Sequence, residues 1–177
     1  MTVTPATPAD LAEAEQVMRE VLLRDLGGYR PRWHRDLDDL EMSYLRSPGC
    51  ALLVAREVSG VLGTAAVRPC SLASPPNPEW LVREYNQPDV CQLVRVWVAT
   101  AARRLGVGRA LVERAVAWSL GPGGYRRVYL HTDASVPGAE KFWRSLPTRE
   151  VLDQRPDPFS TVHFEIETDA LLRTAGC

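Results

Sequence analysis

No run of apolar residues in this 177-residue sequence reaches the roughly 20 needed to cross a bilayer, so no membrane partner is expected. The opening Met1-Thr-Val-Thr-Pro-Ala-Thr-Pro lacks the basic and apolar regions of a signal peptide, which points to a cytoplasmic protein. Excess charge is missing as well. Lys and Arg number 21 against 22 Asp and Glu, a net charge of −1, which gives no field for steering nucleic acid. Cysteine is sparse: Cys50, Cys70, Cys91 and Cys177 are widely spread, with no C-x-x-C pair and no histidine at metal spacing. That excludes a disulfide scaffold, predicts no metal site, and leaves reduced thiols as the plain reading. Internal repeats and low-complexity tracts are absent too. What remains is ordinary for one globular domain with a sizeable core, at 45% hydrophobic and 24% charged residues.

Local patterns give an element order. Val3-Thr4 suits a short edge strand. Thr7-Pro8-Ala9-Asp10 reads as an N-cap, a proline at the first helical position and the acid of a capping box. Leu11, Ala14, Val17, Met18, Val21 and Leu22 then recur at helical spacing until Gly27-Gly28. A second helix is predicted over 36–46, its alternating charges forming a solvated face. Strands are predicted at 51–56 and 61–68, around a turn at Ser59-Gly60. A long loop with Pro69, Pro75, Pro76 and Pro78 follows, then a strand at 92–98. The next helix, 106–120, turns Val107, Ala110, Leu111, Ala115 and Trp118 inward and ends at Gly121-Pro122-Gly123-Gly124. A strand at 127–132 completes a candidate parallel crossover. A short helix with Ala139, Phe142, Trp143 and Leu146 on one side stops at Pro147, and strands near 150–153 and 161–167 close the sheet. The class is mixed α/β or α+β.

The segment from Val94 to Val112 carries the chemistry. It is a strand, then a loop with Arg103, Arg104, Gly106 and Gly108, then a helix. The first N–H groups of a helix lack partners and sit at the positive end of its dipole. Glycines there remove the side chains that would block a phosphate, so the pattern describes an anion site. A P-loop would need Gly-Lys-Ser/Thr, which is absent. A dinucleotide fold would need a third small residue where Leu111 stands.

Arg103-x-x-Gly106-x-Gly108, preceded by a strand ending at Val98 and followed by Ala110-Leu111-Val112, resembles the acyl-CoA motif of the GCN5-related N-acetyltransferases. The element order resembles that family over nearly the whole chain. The resemblance implies a mostly antiparallel twisted sheet of about seven strands with one parallel pair and about four flanking helices. Residues 1–167 would form a single acyl-CoA N-acyltransferase domain and 168–177 a C-terminal tail. It also implies acetyl-CoA as co-substrate, its pyrophosphate on the N–H groups of Arg104, Leu105, Gly106, Val107, Gly108 and Arg109, with Arg103 or Arg104 adding charge. Main-chain groups of Val96 and Val98, flanking Trp97, would pair with the pantetheine arm where the strand splays from its parallel neighbour. A backbone N–H near Val98 would polarise the acetyl carbonyl.

The second family landmark, Asn-x-x-Ala-x-x-Phe-Tyr then Gly-Phe, corresponds here to Val136-Pro-Gly-Ala139-Glu-Lys-Phe142-Trp143 then Leu146-Pro147. Trp143 replaces the tyrosine that protonates the departing thiolate in many relatives. General acid help is worth about 10²–10⁴ in rate, yet a thiol of pKa about 8.5 leaves at modest cost. Ser135 or Tyr129 are candidate substitutes for the acid, beside water. Gln92 stands where many relatives place a basic glutamate. Candidate bases are Glu84 and Asp89 in the long loop, and His131 and Asp133 at the end of the next strand. His131 also reads as a hydrogen-bonded strand residue, and Asp133 as a cap. His34 reads as a solvated loop residue or part of an acceptor wall. Trp33, Trp80 and Trp97 read as plain core or as an aromatic pocket. Arg95 points to a carboxylate in the cleft or pairs with an acid on a neighbouring strand. The acceptor implied is the amine of a small molecule or peptide. A homodimer is allowed, since dimers are common among relatives. The alternative is a non-catalytic acyl-CoA-binding or sensing module.

Overall fold

Periodic Leu11, Ala14, Val17, Met18, Val21 and Leu22 become helix α1, Leu11–Asp25, in a computed structural model that describes residues 1–175. Ala14 to Leu22 form its buried face. A 3₁₀ turn at Pro8–Asp10 leads in, and the Asp10 carboxylate accepts the Thr7 N–H at 2.8 Å and the Thr7 hydroxyl at 2.7 Å. The helix ends where Gly27, at φ 70°, lets the Gly28 N–H reach the Leu22 carbonyl at 2.7 Å.

By compactness the chain divides into two units. Met1–Arg68 with Val94–Ala115 form the first, and Pro69–Leu93 with the chain from Val116 onward form the second. In the first, β1 (Thr2–Pro5) pairs antiparallel with β2 (Ala51–Glu57), and β2 pairs antiparallel with β3 (Gly60–Pro69). The single helix expected over 36–46 is broken. α2 (Pro31–His34) precedes it, a 3₁₀ turn covers Arg35–Asp38, and a π-helical turn covers Glu41–Leu45. Asp39 lies between at φ −152°, its carboxylate accepting the Met42 N–H at 2.9 Å. An aspartate that can bond nearby main chain interrupts a helix as readily as it starts one. Leu37, Leu40 and Tyr44 nevertheless keep helical spacing and join Met18, Leu22, Leu52 and Val54 in one core.

Strand β4 (Val90–Val98) contributes to both units, as does α4 (Val107–Leu120). On α4, Val107, Leu111 and Ala115 are buried as expected. Val112, Val116 and Ser119 are buried with them, while Ala110 and Trp118 lie at the margins. In the second unit β4 runs parallel to β5 (Arg127–Asp133), with Val90 opposite Arg127 and Gln92 opposite Tyr129. β7 (Thr161–Ile166) pairs antiparallel with β5 and with β6 (Thr148–Asp153). Seven strands form a mixed sheet in the order β1-β2-β3-β4-β5-β7-β6.

The expected long loop contains helix α3, Glu79–Tyr85, whose Leu81 and Tyr85 pack with Cys70, Leu72, Val90 and Tyr129 in a second core. α5 spans Ala139–Arg144, burying Trp143 and leaving Phe142 half-buried. The expected tail carries α6, Thr168–Ala175. Cys177 lies outside the described residues. Among those described, Cys50, Cys70 and Cys91 form no disulfide, and burial pushes Cys91 up to about 11, so it stays protonated at neutral pH. No described helix is long and apolar enough to cross a membrane, and no described cluster of His, Cys, Asp or Glu could hold a metal.

Candidate active site

Two positive-φ residues, Arg104 at 65° and Gly106 at 81°, turn the chain from β4 into α4. The first helical bond runs from the Ala110 N–H to the Gly106 carbonyl at 3.0 Å. The N–H groups of Val107, Gly108 and Arg109 therefore precede the α4 ladder and project from the helix start. A Cβ on Gly106 would meet nothing within 4 Å, so it would stand in open space at that edge. Glycine is needed here for its backbone angle, and its bareness leaves a cradle that suits a diphosphate. Arg104, Leu105 and Arg109 are exposed around it, Leu105 to 70%. Arg109 also pairs with Glu113 at 3.5 Å.

Arg103, expected to add charge beside the pyrophosphate, has partners within the protein. Its guanidinium pairs with the Asp25 carboxylate and donates to the Val98 carbonyl at 3.2 Å, bracing the loop against the end of α1. What seats α4 is Gly63 on β3. A Cβ there would lie 2.8 Å from the Trp97 carbonyl oxygen, 3.0 Å from Leu111 and 3.3 Å from Val107. Only a bare α-carbon lets strand and helix start approach that closely.

The strand residues expected to meet the pantetheine arm, Val96, Trp97 and Val98, are half-buried. Just before them Arg95 sits at φ 55°, a left-handed kink inside a strand. Such a conformation costs a non-glycine residue on the order of 1–3 kcal/mol and persists only when its surroundings fix it. Here they do. The Thr64 hydroxyl donates to the Arg95 carbonyl at 3.0 Å, and the guanidinium donates to Asp36 at 2.9 and 2.6 Å and to the Trp33 carbonyl at 2.5 Å. Tyr44, 2% exposed, gives its hydroxyl proton to the same carboxylate. Burial pushes the Asp36 carboxyl up, but the Arg95 hydrogen bonds and charge, with Tyr44, outweigh it and hold the group below its ordinary value. Arg95 thus pairs with an acid from the connection after α2, not with one on a strand. Asp36 is not part of a solvated face.

His34 is 6% exposed, contrary to a solvated place. Its Nδ1 accepts the Arg30 N–H at 2.9 Å, its ring meets Trp97 edge-on at 6.4 Å, and burial together with Arg95 lowers its pKa. Trp33 and Trp80 are 42% and 45% exposed, so neither is core. Trp97 lies under the Arg95 guanidinium, 5.0 Å from ring centre to Cζ.

The candidate acids and bases lie in the second unit, and most have partners there. Glu84 is on α3 rather than in a loop, paired with Arg127 at 2.9 Å. The Asp89 carbonyl accepts the Arg126 and Arg127 N–H groups. Asp133 accepts the Ser135 N–H at 2.8 Å and the Ser135 hydroxyl at 2.5 Å, so each occupies the other. Tyr129 is fully buried, 2.6 Å from His163 Nδ1, and burial raises its pKa, which removes it as a solvent-facing acid. His131 is exposed, with Nδ1 3.2 Å from the amide nitrogen of Gln92, itself 1% exposed. His163, opposite His131 in the β5–β7 register, was not singled out by sequence. Its Nε2 lies 2.6 Å from Gln154 Oε1, and burial lowers its pKa to about 4.

Such a sheet, with a glycine-turned helix start between a strand and the helix of its parallel crossover, defines a mixed α/β protein. The acetyltransferase (GNAT) family matches residues 16–146, and the chain belongs to that family. No curated protein matches it in sequence. Among solved structures it is similar to a GNAT-family acetyltransferase from Staphylococcus aureus Mu50 at 15% identity, covering 94% of this chain and 98% of that one, TM-score 0.70. It is also similar to yncA from Salmonella typhimurium, a putative acetyltransferase solved with its cofactor acetyl-CoA, at 17% identity, 95% and 94% coverage and TM-score 0.69. A ribosomal-protein-alanine N-acetyltransferase from Brucella melitensis aligns at 19% identity, 93% and 98% coverage and TM-score 0.64.

Proposed function

We propose that the chain is an N-acetyltransferase that passes the acetyl group of acetyl-CoA to a primary amine of a small molecule or peptide. The amine attacks directly in a ternary complex. The observation that carries this reading is the row of main-chain N–H groups at Val107, Gly108 and Arg109 beside the bare Gly106, in a family of acetyltransferases. These groups hold the diphosphate, with Arg104 and Arg109 adding charge at the rim and Leu105 exposed beside them. Main-chain groups of Val96, Trp97 and Val98 take the extended arm, and the Arg95 kink, locked by Asp36 and Thr64, fixes how they are presented. Acetyl-CoA supplies an activated acyl carbonyl and a thiol that leaves readily. Of the six candidate acids and bases, His131, exposed on β5, is the one assigned to the acceptor.

Two measurements test this. Thermal unfolding with acetyl-CoA at about 100 times Kd should show stabilisation of about 2.7 kcal/mol, with ATP and NAD giving less. A panel of amines, amino acids and peptides should then release free thiol. Stabilisation by ATP or NAD above that by CoA would overturn the reading.

A second reading, a non-catalytic acyl-CoA-binding module, is favoured by Trp143 and Gln92. The first is 7% exposed in the tyrosine's place, and the second stands where relatives carry glutamate. It predicts the same stabilisation and no thiol release with any acceptor.

A further inference from the structure

His34 is 6% exposed, yet one of its ring nitrogens has no partner. Its Nδ1 accepts the main-chain N–H of Arg30 at 2.9 Å, while no described residue meets Nε2, which is not sealed from solvent. A main-chain amide can only donate, so Nδ1 must present its lone pair, and the proton of a neutral imidazole then sits on Nε2. From this geometry we infer that His34 is a specificity residue: its fixed Nε2–H, with the charge of Arg30 near it, takes the carboxylate of an acceptor amine, as amino acids carry. The inference rests on the acetyltransferase reading for its consequence in turnover, though not for the binding of a carboxylate.

Every group that bears on this ring belongs to the first unit. Trp97 of β4 meets it edge-on at 6.4 Å, and main chain at Trp97 is where the acyl-CoA arm is proposed to lie. The Tyr29 ring is 5.9 Å away. Burial, then the charges of Arg95 and Arg30, keep a second proton off the ring against the pull of Asp36. A ring that stays neutral at pH 7, with one nitrogen already spent as an acceptor, can share a proton with a ligand oxygen but cannot take one. The charges nearby choose among oxygens. Each acid of this segment is bonded within the protein: Asp36 to Arg95 and Tyr44, Asp38 to the Tyr29 hydroxyl at 2.6 Å, and Asp39 to the Met42 N–H. Arg30, Arg32 and Arg35 are exposed, and no described carboxylate pairs with them. Arg30 instead lies over the Trp33 ring, 5.2 Å from ring centre to Cζ. That leaves a positive edge on a chain whose net charge is −1. A carboxylate gains from both the N–H and the charge, a neutral carbonyl from the N–H alone, and a polyamine is repelled.

Long-range ¹H–¹⁵N spectra read this ring without any turnover. At neutral pH His34 should be neutral with its proton on Nε2. With CoA present and absent, the common amino acids are then added, each against the amine left when its carboxylate is removed. The Nε2 signal should move with an amino acid and stay with the matching amine. A ring protonated on Nδ1, or a signal that treats every such pair alike, overturns the inference whatever acetyl-CoA does. In turnover, preference is the ratio of kcat/KM for an amino acid to that for its matching amine. His34→Leu should lower it about 10- to 100-fold, mostly through KM, as loss of a hydrogen bond to a charged group does. His34→Gln keeps an acceptor for the Arg30 N–H and a donor for the ligand, and should restore most of that preference. Should leucine not fold at so buried a place, Arg30→Gln, at an exposed side chain, should move the ratio in the same direction. A ratio that none of these variants moves sinks the inference. Absence of thiol release from every amine sinks the acetyltransferase reading instead, and the spectra still decide whether a carboxylate binds at His34.

Discussion

In the first unit, the proposed ligand site at the start of α4 is made of main chain, and the side chains nearby serve to hold that main chain still. Gly63 admits the helix, Arg103 ties the loop to Asp25, and Asp36 with Tyr44 clamps the kinked Arg95. In the second unit the offer is made by side chains. Gln92 meets His131 between β4 and β5, and Tyr129, His163 and Gln154 meet through polar atoms across β5, β7 and the residue after β6. A main-chain site depends on backbone angles and close approach, so it tolerates exchange of most side chains around it. A side-chain network depends on the identity of each donor and acceptor. The two regions should therefore fail in different ways.

The largest effect expected is in the scaffold of the first. Asp36→Ala leaves the Arg95 guanidinium, with 13% of its side chain exposed, facing a buried hydroxyl instead of a carboxylate. Removing one partner of a buried pair costs about 3–5 kcal/mol, whereas replacing both by apolar groups can be nearly neutral. Urea unfolding should show that loss, and adding Arg95→Met should recover part of it. If Asp36→Ala unfolds like wild type, the clamp does not hold the kink.

Next comes acid sensitivity in the second region. Burial disfavours the His163 imidazolium and lowers its pKa to about 4 although Asp157 partly opposes it, so the ring is neutral in the fold at neutral pH. In the unfolded chain it protonates near pH 6.5, roughly the ordinary value for histidine. Its contribution is intact above that pH, declines as pH falls from there to about 4, and is gone once both states are protonated. At about 1.4 kcal/mol per pH unit the loss approaches 3 kcal/mol. His163→Gln, which keeps an acceptor for Tyr129, should flatten the decline in urea midpoints between pH 7 and 4. A wild-type stability that is flat over this range would mean the site is wet.

The contrast also explains what could be read before folding. Backbone devices leave their mark in residue type. Gly106 and Gly108 announce the cradle, Thr7 and Asp10 the helix entry, and the spacing from Leu11 to Leu22 the buried face of α1. α3 escaped because a seven-residue helix behind a row of prolines shows too few turns for a period to emerge. The break at Asp39 escaped because leucines 37 and 40 keep helical spacing through it. The polar contacts were out of reach for another reason. That His131 meets Gln92 and lies opposite His163 depends on the register of three strands, and a slip of one residue in any of them would turn the group to the other face. The partner of Arg103 was out of reach as well: its place beside the glycines suggests a ligand, while the acid it pairs with lies 78 residues earlier in sequence, at Asp25.

Gly63→Ala should have the third effect. Its methyl would sit within 2.8 Å of the Trp97 carbonyl oxygen, and a main-chain atom cannot swing aside as a side chain can. Overpacking of this kind costs about 1–3 kcal/mol, and the displaced helix start should weaken acetyl-CoA as well. Loss of stability with affinity unchanged would separate the seat of α4 from the cradle.

Gly106→Ala is the smallest in stability and the most telling for function. Nothing lies within 4 Å of the added carbon, so no clash arises, and the cost is that of holding a residue with a side chain at φ 81°. That is about 1–2 kcal/mol, or a fall in Tm of about 2–8 °C for a chain of this size. The same methyl would stand in the open space beside the start of α4, where the diphosphate is proposed to rest. The variant should therefore fold, lose a little thermal stability, and lose most of the stabilisation that acetyl-CoA gives wild type. His163→Gln should do the reverse, keeping acetyl-CoA affinity while altering pH response. If Gly106→Ala binds acetyl-CoA as tightly as wild type, bare main chain at the start of α4 is not what grips the ligand, and the difference between the two regions is one of packing alone.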